Sequence, residues 1–289
     1  MSTRASLAWI VLVVGCSAPG GGLEGAGEDA GATATPDGGA RRDDAATAPN
    51  GDASAADSGP KPPQGLASLG ALVILGDSMS DGGGQAPFYY DLLRQDLATL
   101  YGSVQYAHAA QSGSQTSALA KQIDSLPKSL PGPVAVCITS GGNDMKAALP
   151  LVLTGTDGAV RAQMGANIQT ALSKLLAPGR FGPNVAVHVF EANIYDASDG
   201  KGDYGSHGCA FGKGVPATPT DGFFKAWNGE IAAHISAKGQ ALDDIHAAFY
   251  GHGYSGNPSW YWTDCTHPNA LGHDQLRRQF YALITGKKL

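Results

Sequence analysis

The chain has 289 residues, of which 43% are hydrophobic and 15% are charged, and its formal net charge is -6. Most of that charge precedes residue 67, since residues 17–66 hold eight acidic side chains against three basic ones and residues 67–289 keep a formal charge of only -2. A nearly neutral region without a basic stripe argues against nucleic acid as a partner. The hydrophobic content suffices for a sizeable core once the polar N-terminal part is set aside.

The first 16 residues have the composition of an export signal. Arg4 precedes a short apolar run that ends at Gly15 and Cys16. This run is shorter than the roughly 20 residues that cross a bilayer as a helix. Residues 13–16 resemble the lipobox of bacterial lipoproteins, which implies a lipid-modified Cys16 and a protein anchored in the bacterial cell envelope. An ordinary secretory signal cut elsewhere is the alternative, and it predicts a secreted protein.

Residues 17–66 are rich in Ala, Gly, Asp, Pro and Ser and contain almost no large apolar side chain. Such a composition cannot bury enough apolar surface to offset the entropy lost on ordering. We therefore expect a disordered tether that holds one folded domain, residues 67–289, away from the membrane.

Residues 67–289 alternate short apolar runs with helical patterns, which predicts a parallel sheet covered by helices on both faces. The predicted strands are 71–75, 104–108, 134–139, 185–191 and 242–246. The predicted helices are 86–101, 115–125, 159–177, 222–238 and 269–285. One helix is expected to bury a face whose apolar residues recur at helical spacing: Phe223, Phe224, Trp227, Ile231 and Ile235.

Two further features of this domain concern its loops. Residues 197–221 form a long Gly-, Asp- and Pro-rich insertion, and loops of that length are usually functional or mobile. Cys209 and Cys265 lie in loop-like segments, so in an exported protein they are predicted to form a disulfide, which would stabilise the fold by about 4 kcal/mol. Cys137 lies inside a predicted strand and is interpreted as a small core residue.

Ser78 follows the first predicted strand, within Gly76-Asp77-Ser78-Met79-Ser80-Asp81. The carboxyl ends of parallel strands are where open α/β sheets bind ligands, so a serine there is a candidate nucleophile. A serine that only caps a helix is the alternative. Gly76 and the glycines at 82–84 predict a close approach of backbone to substrate. Asp77 and Asp81 are interpreted as structural hydrogen-bonding groups.

Serine hydrolysis also needs a base, an acid that orients the base, and donors for the oxyanion. Asp264 and His267 are three residues apart, so the carboxylate can hold one imidazole nitrogen while the other faces Ser78. The turns that contain Gly113 and Asn143 follow the second and third strands and reach the same edge of the sheet.

These segments resemble, in order, the four blocks of the SGNH (GDSL-type) hydrolase family. The blocks are Gly76-Asp77-Ser78, Gly113, Gly141-Gly142-Asn143-Asp144 and Asp264-x-x-His267. The resemblance implies a three-layer α/β/α sandwich with a flavodoxin-like parallel sheet of about five strands. It also implies ester hydrolysis through an acyl-enzyme, with no cofactor. The second block departs from the family pattern, because Thr116 comes one residue late and no Asn shortly precedes Gly113.

The resemblance also assigns roles to individual residues. Ser78 would be the nucleophile, His267 the general base and Asp264 the group that orients it. The backbone amides of Ser78 and Gly113 and the side-chain amide of Asn143 would form the oxyanion hole. No Gly-x-Ser-x-Gly occurs in the chain, which disfavours the nucleophile elbow of α/β-hydrolases.

The sequence identifies residues that contact the substrate less specifically than it identifies the catalytic residues. Trp260 and Trp262 precede the Asp264 turn and are interpreted either as core residues or as a wall for a sugar ring or acyl chain. Asn193, just past the fourth strand, is either a polar site lining or a loop cap. The histidines other than His267 show no ligand spacing, so no metal is predicted.

The sequence therefore predicts an exported, monomeric serine esterase that acts on a small-molecule or polysaccharide ester. Short-acyl and carbohydrate O-acetyl esters are favoured, and lysophospholipid is a further option. An O-acyltransferase that uses a sugar hydroxyl in place of water is one alternative. Another is a catalytically silent surface lipoprotein that binds carbohydrate or a partner on the same fold, which the intact set of Ser78, Asn143, Asp264 and His267 disfavours.

Overall fold

The computed structural model describes residues 65–289. The predicted signal peptide, the lipidation of Cys16 and the tether up to residue 64 lie outside the described residues and stay predictions. None of the helices in the described part combines the length and the hydrophobicity that a membrane-spanning helix needs.

A five-stranded parallel sheet forms the centre of the described part, in the order β2-β1-β3-β4-β5. Its strands are β1 Ala71–Gly76, β2 Gln105–His108, β3 Val134–Thr139, β4 Val187–Ala192 and β5 Ala241–Asp243. This is the flavodoxin-like order, so the predicted fold class is confirmed. After β1 the chain forms β2 on one side of it and then crosses over to form β3 on the other side. The β1–β3 boundary is therefore the topological switch point, where such sheets bind ligands.

Helices cover both faces of this sheet. They are α1 Tyr89–Tyr101, α2 Leu119–Ser125, α3 Gly142–Ala147, α4 Leu149–Thr154, α5 Gly158–Leu175, α6 Asp221–Ala237, α7 Ile245–Phe249 and α8 Ala270–Thr285. The long helices match the predicted ones, whereas the short helices α3, α4 and α7 were not predicted. The prediction of a fifth strand through residue 246 was wrong, because the Asp244 carboxylate accepts a hydrogen bond from the Ala247 N–H and starts α7 at Ile245.

The central strands β1 and β3 bury side chains on both faces, so the sheet separates two cores. On β1, Ala71, Val73 and Leu75 pack on the side of α2, α5 and α6, and Leu72 and Ile74 pack on the side of α1, α7 and α8. The predicted apolar face of α6 is confirmed, since its four buried members and the partly buried Phe223 contact the first core: Phe224, Trp227, Ile231 and Ile235.

The cysteines occupy the predicted environments. Cys209 and Cys265 form a disulfide that closes a loop of 56 residues, with 5.6 Å between their Cα atoms. Cys137 is free and fully buried on β3.

Glu191 on β4 is fully buried, and neither of its carboxyl oxygens has a hydrogen-bond partner among the described residues. Burial raises the pKa of Glu191 from 4.5 to about 8. Between these two pKa values, Glu191 is therefore protonated in the native state and ionised in the unfolded chain. The stability linked to this proton is complete below about pH 4.5 and is lost as pH rises to about 8.

The variant Glu191→Gln tests this linkage because its side chain does not titrate. We expect the free energy of unfolding of the wild type to fall relative to that of the variant between pH 5 and 8, by up to about 1.4 kcal/mol per pH unit. Urea unfolding at several pH values measures the difference. Parallel pH profiles for the two proteins would show that Glu191 is not protonated in the native state.

Candidate active site

Ser78 begins a short 3-10 helix, Ser78–Ser80, at the carboxyl end of β1. The Asp77 carboxylate caps this helix by accepting hydrogen bonds from the Met79 N–H and the Thr139 hydroxyl, each at 3.1 Å. Burial raises the pKa of Asp77 to about 6. These contacts fix the turn against β3, which agrees with a structural role for Asp77.

Ser78, His267 and Asp264 form one hydrogen-bonded chain. The Ser78 Oγ lies 2.7 Å from His267 Nε2, and His267 Nδ1 lies 2.6 Å from Asp264 Oδ2. The second carboxylate oxygen of Asp264 accepts the N–H groups of Thr266 and His267, both at 2.9 Å. The structure therefore brings together the three residues that the sequence singled out, although they are up to 189 positions apart.

The electrostatics of Asp264 favour an ionised carboxylate. Partial burial by itself would raise its pKa, but the hydrogen bonds from the His267 ring and from the N–H groups of His267 and Thr266 outweigh burial and lower the pKa of Asp264. A carboxylate acceptor holds the proton of His267 on Nδ1. Nε2 is then free to accept the proton of the Ser78 hydroxyl.

The three residues that the sequence singled out as oxyanion donors follow β1, β2 and β3. The N–H groups of Ser78 and Gly113 make no hydrogen bond within the described residues. Asn143 lies in the first turn of α3, and its side-chain amide donates to the Ser114 carbonyl at 2.9 Å, which orients it and leaves one N–H available. Ser78, Asn143 and His267 line the same cavity, whereas Gly113 is not part of its wall.

Two carboxylates join the turns that carry these donors. Asp81 accepts the Ser112 N–H at 2.7 Å and so ties the Gly113 turn to the Ser78 turn. Asp144 accepts both the N–H and the hydroxyl of Thr116, which ties the same turn to α3. The structural interpretation of Asp81 agrees with these contacts.

Several glycines around Ser78 lie very close to neighbouring segments of the chain. A Cβ added to Gly83 would lie 2.5 Å from His267 Cδ2 and 2.6 Å from the Ser78 carbonyl oxygen. A Cβ on Gly84 would collide with the Pro268 carbonyl, and one on Gly76 with that of Thr139. Gly83 and Gly84 therefore let neighbouring backbone pack closely beside His267, and Gly76 does the same beside Thr139, whereas the expected approach to substrate stays a prediction.

A hydrogen bond from the His273 side chain holds the loop that contains Gly83. His273 Nε2 lies 3.0 Å from the Gly83 carbonyl oxygen, and the His273 side chain is fully buried. Burial lowers the pKa of His273 to about 4, so the ring is neutral at neutral pH and donates one N–H to this carbonyl.

The variant Gly83→Ala should displace the His267 ring. Because Gly83 does not need a left-handed backbone, the added methyl group acts through its collisions with the His267 ring and the Ser78 carbonyl. We expect kcat for ester hydrolysis to fall about 100-fold, the loss typical of a misplacement of about 1 Å, with a smaller change in KM. Gly229→Ala on the exposed side of α6 is the matched control, since its Cβ meets no atom within 4 Å. Equal kinetics for the two variants would contradict the packing role.

A cavity of about 170 Å³ opens at Ser78. Its wall is mainly apolar and comes from α3, α4, α6 and the connection between β4 and α6. The apolar residues of this wall are Met79, Met145, Leu149, Val152, Leu153, Ile194, Ala197, Val215, Pro216, Phe223 and Phe224. The insertion predicted to be functional thus contributes to the site. The aliphatic lining from α3 and α4 was missed, although it follows directly after Asn143.

The structure places the predicted substrate contacts differently. Neither Trp260 nor Trp262 lines this cavity. The Trp260 ring stacks on His252 with centroids 3.6 Å apart, and Trp262 is 38% exposed. Asn193 reaches the cavity, but its amide donates to Asp244 and accepts the His246 N–H, so its polar atoms join β4 to the start of α7.

Among residues 65–289, no three or more His, Cys, Asp or Glu side chains lie together in a way that could hold one metal ion.

The fold and the site geometry define an α/β protein with a Ser-His-Asp arrangement at the switch point of a flavodoxin-like sheet. The family described as "GDSL-like Lipase/Acylhydrolase family" matches residues 74–275. The chain belongs to this family and is an ester hydrolase. Among curated proteins, none matches the chain.

Solved structures of similar fold include three enzymes. A lipase from a goat rumen metagenome is 19% identical with a TM-score of 0.54, over 76% of this chain and 99% of that one. A variant of an acetyl xylan esterase from Geobacillus stearothermophilus is 16% identical with a TM-score of 0.52, over 78% and 98%. A lipase/acylhydrolase from Enterococcus faecalis is 17% identical with a TM-score of 0.51, over 76% and 98%. At these identities the likeness shows the fold alone.

Proposed function

We propose that this protein hydrolyses carboxylic esters through an acyl-enzyme on Ser78, and that the acyl part of the substrate lies in the apolar cavity. The observation that carries the proposal is the position of His267, whose two ring nitrogens contact Ser78 Oγ at 2.7 Å and Asp264 Oδ2 at 2.6 Å. This arrangement is what a serine nucleophile requires of its base.

The proposed reaction proceeds in two halves. His267 Nε2 takes the hydroxyl proton as Ser78 Oγ attacks the ester carbonyl carbon, and the protonated ring then gives that proton to the departing alcohol oxygen. In the second half His267 activates a water molecule that attacks the acyl-serine. The product acid leaves and Ser78 recovers its proton.

The negative charge on the carbonyl oxygen forms between Ser78 and Asn143. The free N–H groups of Ser78 and Gly113 and the remaining amide N–H of Asn143 are the donors proposed to stabilise it. Each such donor contributes about 10²–10³-fold to the rate. Asp264 holds the ring and stabilises its positive charge without itself taking the proton.

The cavity supports acyl groups longer than acetyl. Its volume of about 170 Å³ is close to that of apolar cavities of about 150 Å³ that bind benzene, which has six carbons. An acetyl methyl group would leave most of that volume unfilled. Each buried CH₂ contributes about 0.8 kcal/mol, which corresponds to about a fourfold gain in binding.

A series of p-nitrophenyl esters from acetate to decanoate tests the proposed function. We expect kcat/KM to rise by up to about fourfold per CH₂ and to level off near six carbons, where the cavity is full. The variant Val215→Phe, which places a larger side chain in the cavity wall, should move the optimum to shorter chains. Activity that is highest on acetate and insensitive to Val215→Phe would instead support acetyl esters, as the name of the similar acetyl xylan esterase suggests.

The N-terminal sequence supports an exported enzyme that is anchored through a lipid on Cys16 and displayed on the tether of residues 17–66. The Cys209–Cys265 disulfide agrees with export, because disulfides persist mainly in oxidising compartments. Fatty-acid labelling of the wild type, lost in Cys16→Ser, tests the anchor.

A further inference from the structure

The disulfide joins two parts of the site that are far apart in sequence. Cys265 lies between Asp264 and His267, in the turn formed by residues 264–267, and it lines the cavity. Cys209 lies in the connection between β4 and α6. Residues 202–218 of this connection are here called the wall segment. Both cysteines are more than nine-tenths buried.

The wall segment forms one side of the cavity. Its lining residues are Gly202, Tyr204, Gly212, Val215, Pro216 and Thr218. Any movement of this segment therefore changes the shape of the cavity that is proposed to hold the acyl chain.

The first and second halves of the wall segment are held in different ways. At its start, Asp203 accepts a hydrogen bond from the Tyr254 hydroxyl at 2.7 Å, and the preceding Asp199 accepts the N–H groups of Gly251 and Gly253. The described hydrogen bonds of residues 208–216 are local, such as those from Gly212 and Val215. The covalent link at Cys209 is what joins this second half to the 264–267 turn.

Besides the hydrogen bonds to the Asp264 carboxylate and the contact of His267 with Ser78, neighbouring residues also hold the 264–267 turn. The Tyr195 hydroxyl donates to the Thr266 carbonyl at 2.5 Å, and the Trp262 N–H donates to the His267 carbonyl at 2.7 Å. Cys265 has a φ of +59°, a left-handed conformation that an L residue keeps only when its surroundings enforce it. The disulfide supplies such an enforcement directly beside Asp264.

We propose that the Cys209–Cys265 disulfide is a positioning element of the esterase site, which couples the cavity wall to the turn that carries Asp264 and His267. The inference rests on the proposed function. Without the disulfide, the turn and the wall relax independently, so turnover falls and the preference for longer acyl chains weakens.

The double variant Cys209→Ser/Cys265→Ser tests the coupling on the full chain, well below its unfolding temperature. We expect kcat to fall about tenfold or more, and the ratio of kcat/KM for hexanoate over acetate to fall at least about threefold. A disulfide that only stabilises the fold would lower the unfolding temperature and leave both quantities unchanged. That result would overturn the inference while leaving Ser78-dependent hydrolysis intact.

A second double variant separates the effect on the 264–267 turn from the effect on the wall segment. Asn tolerates a left-handed backbone better than Ser does, so Cys209→Ser/Cys265→Asn should keep the turn and lose only the link to the wall. We expect it to recover most of kcat on acetate without recovering the hexanoate preference. Identical kinetics for the two double variants would contradict separate effects on turn and wall.

If the double variants do not fold, the wild type is treated with dithiothreitol, a dithiol that converts the S–S bond into two thiols and is itself oxidised to a cyclic disulfide. Cys137→Ala, treated in the same way, shows that the effect does not arise from the buried free thiol. Reduced enzyme with two additional titratable thiols and unchanged kcat and acyl preference would overturn the inference. Absence of any hydrolysis by the oxidised wild type would instead overturn the proposed function.

Discussion

The variant Ser78→Ala is expected to lose ester hydrolysis by about 10⁴-fold or more, because the hydroxyl that contacts the proposed base His267 is removed. The removed oxygen contacts His267 Nε2 at 2.7 Å and is only partly buried. Its loss leaves no buried polar atom without a partner. We therefore expect thermal unfolding to stay nearly unchanged, and steady-state kinetics with p-nitrophenyl butyrate measures the loss.

Ser236→Ala is the matched control for this experiment, since Ser236 is exposed on α6 and its hydroxyl bonds only to the Ala233 carbonyl one turn earlier. It should retain wild-type activity. Ser78→Ala with more than a few per cent of wild-type activity, in a folded sample free of contaminating esterase, would contradict a nucleophilic Ser78.

The variant Asp264→Asn is expected to lower kcat by about 10³–10⁴-fold. The amide oxygen can still accept the N–H groups of Thr266 and His267, so the turn keeps its shape. The amide NH₂ then faces His267 Nδ1, which must become an acceptor, and the ring proton moves to Nε2. A ring with its proton on Nε2 cannot take the proton of Ser78.

Asp124→Asn is the control for Asp264→Asn, because Asp124 forms an exposed ion pair with Lys174 away from the cavity. Kinetics and circular dichroism of both variants show whether the loss is chemical or structural. An Asp264→Asn enzyme that turns over at the wild-type rate would mean that His267 does not need the carboxylate, and the proposed chain of proton transfers would be wrong.

The strands next to the site could be predicted closely because both of their faces are buried. Every residue of β1 and β3 is inaccessible, so each strand reads as one apolar run that ends at a turn. The residues that follow these runs, Ser78 and Asn143, could be placed at the switch point for the same reason.

The short helices could not be predicted in the same way. α3, α4 and α7 have five or six residues, which is too short for an apolar period to repeat. For α7 local capping by Asp244 decides the start of the helix, whereas α3 and α4 have no side-chain cap. The misread end of the fifth strand has the same origin.

The cavity wall depends on tertiary structure and not on local sequence. Trp260 and Trp262 are close to Asp264 in sequence, but Tyr261 pairs with Pro268 in an antiparallel bridge that directs this segment away from the cavity. Val152 and Phe224 line the cavity although neither belongs to a sequence motif of the site. Their convergence follows only from the packing of α4 and α6 around the end of the sheet.

Mass spectrometry after reaction with a fluorophosphonate tests the central claim most directly. A fluorophosphonate phosphonylates only a serine whose hydroxyl is activated by a base, and fluoride leaves. We predict one adduct per chain on the peptide that contains Ser78, no adduct in Ser78→Ala, and strongly slowed labelling in His267→Ala. An unmodified Ser78 in folded, ester-hydrolysing enzyme, or an adduct on a different serine, would contradict the assignment.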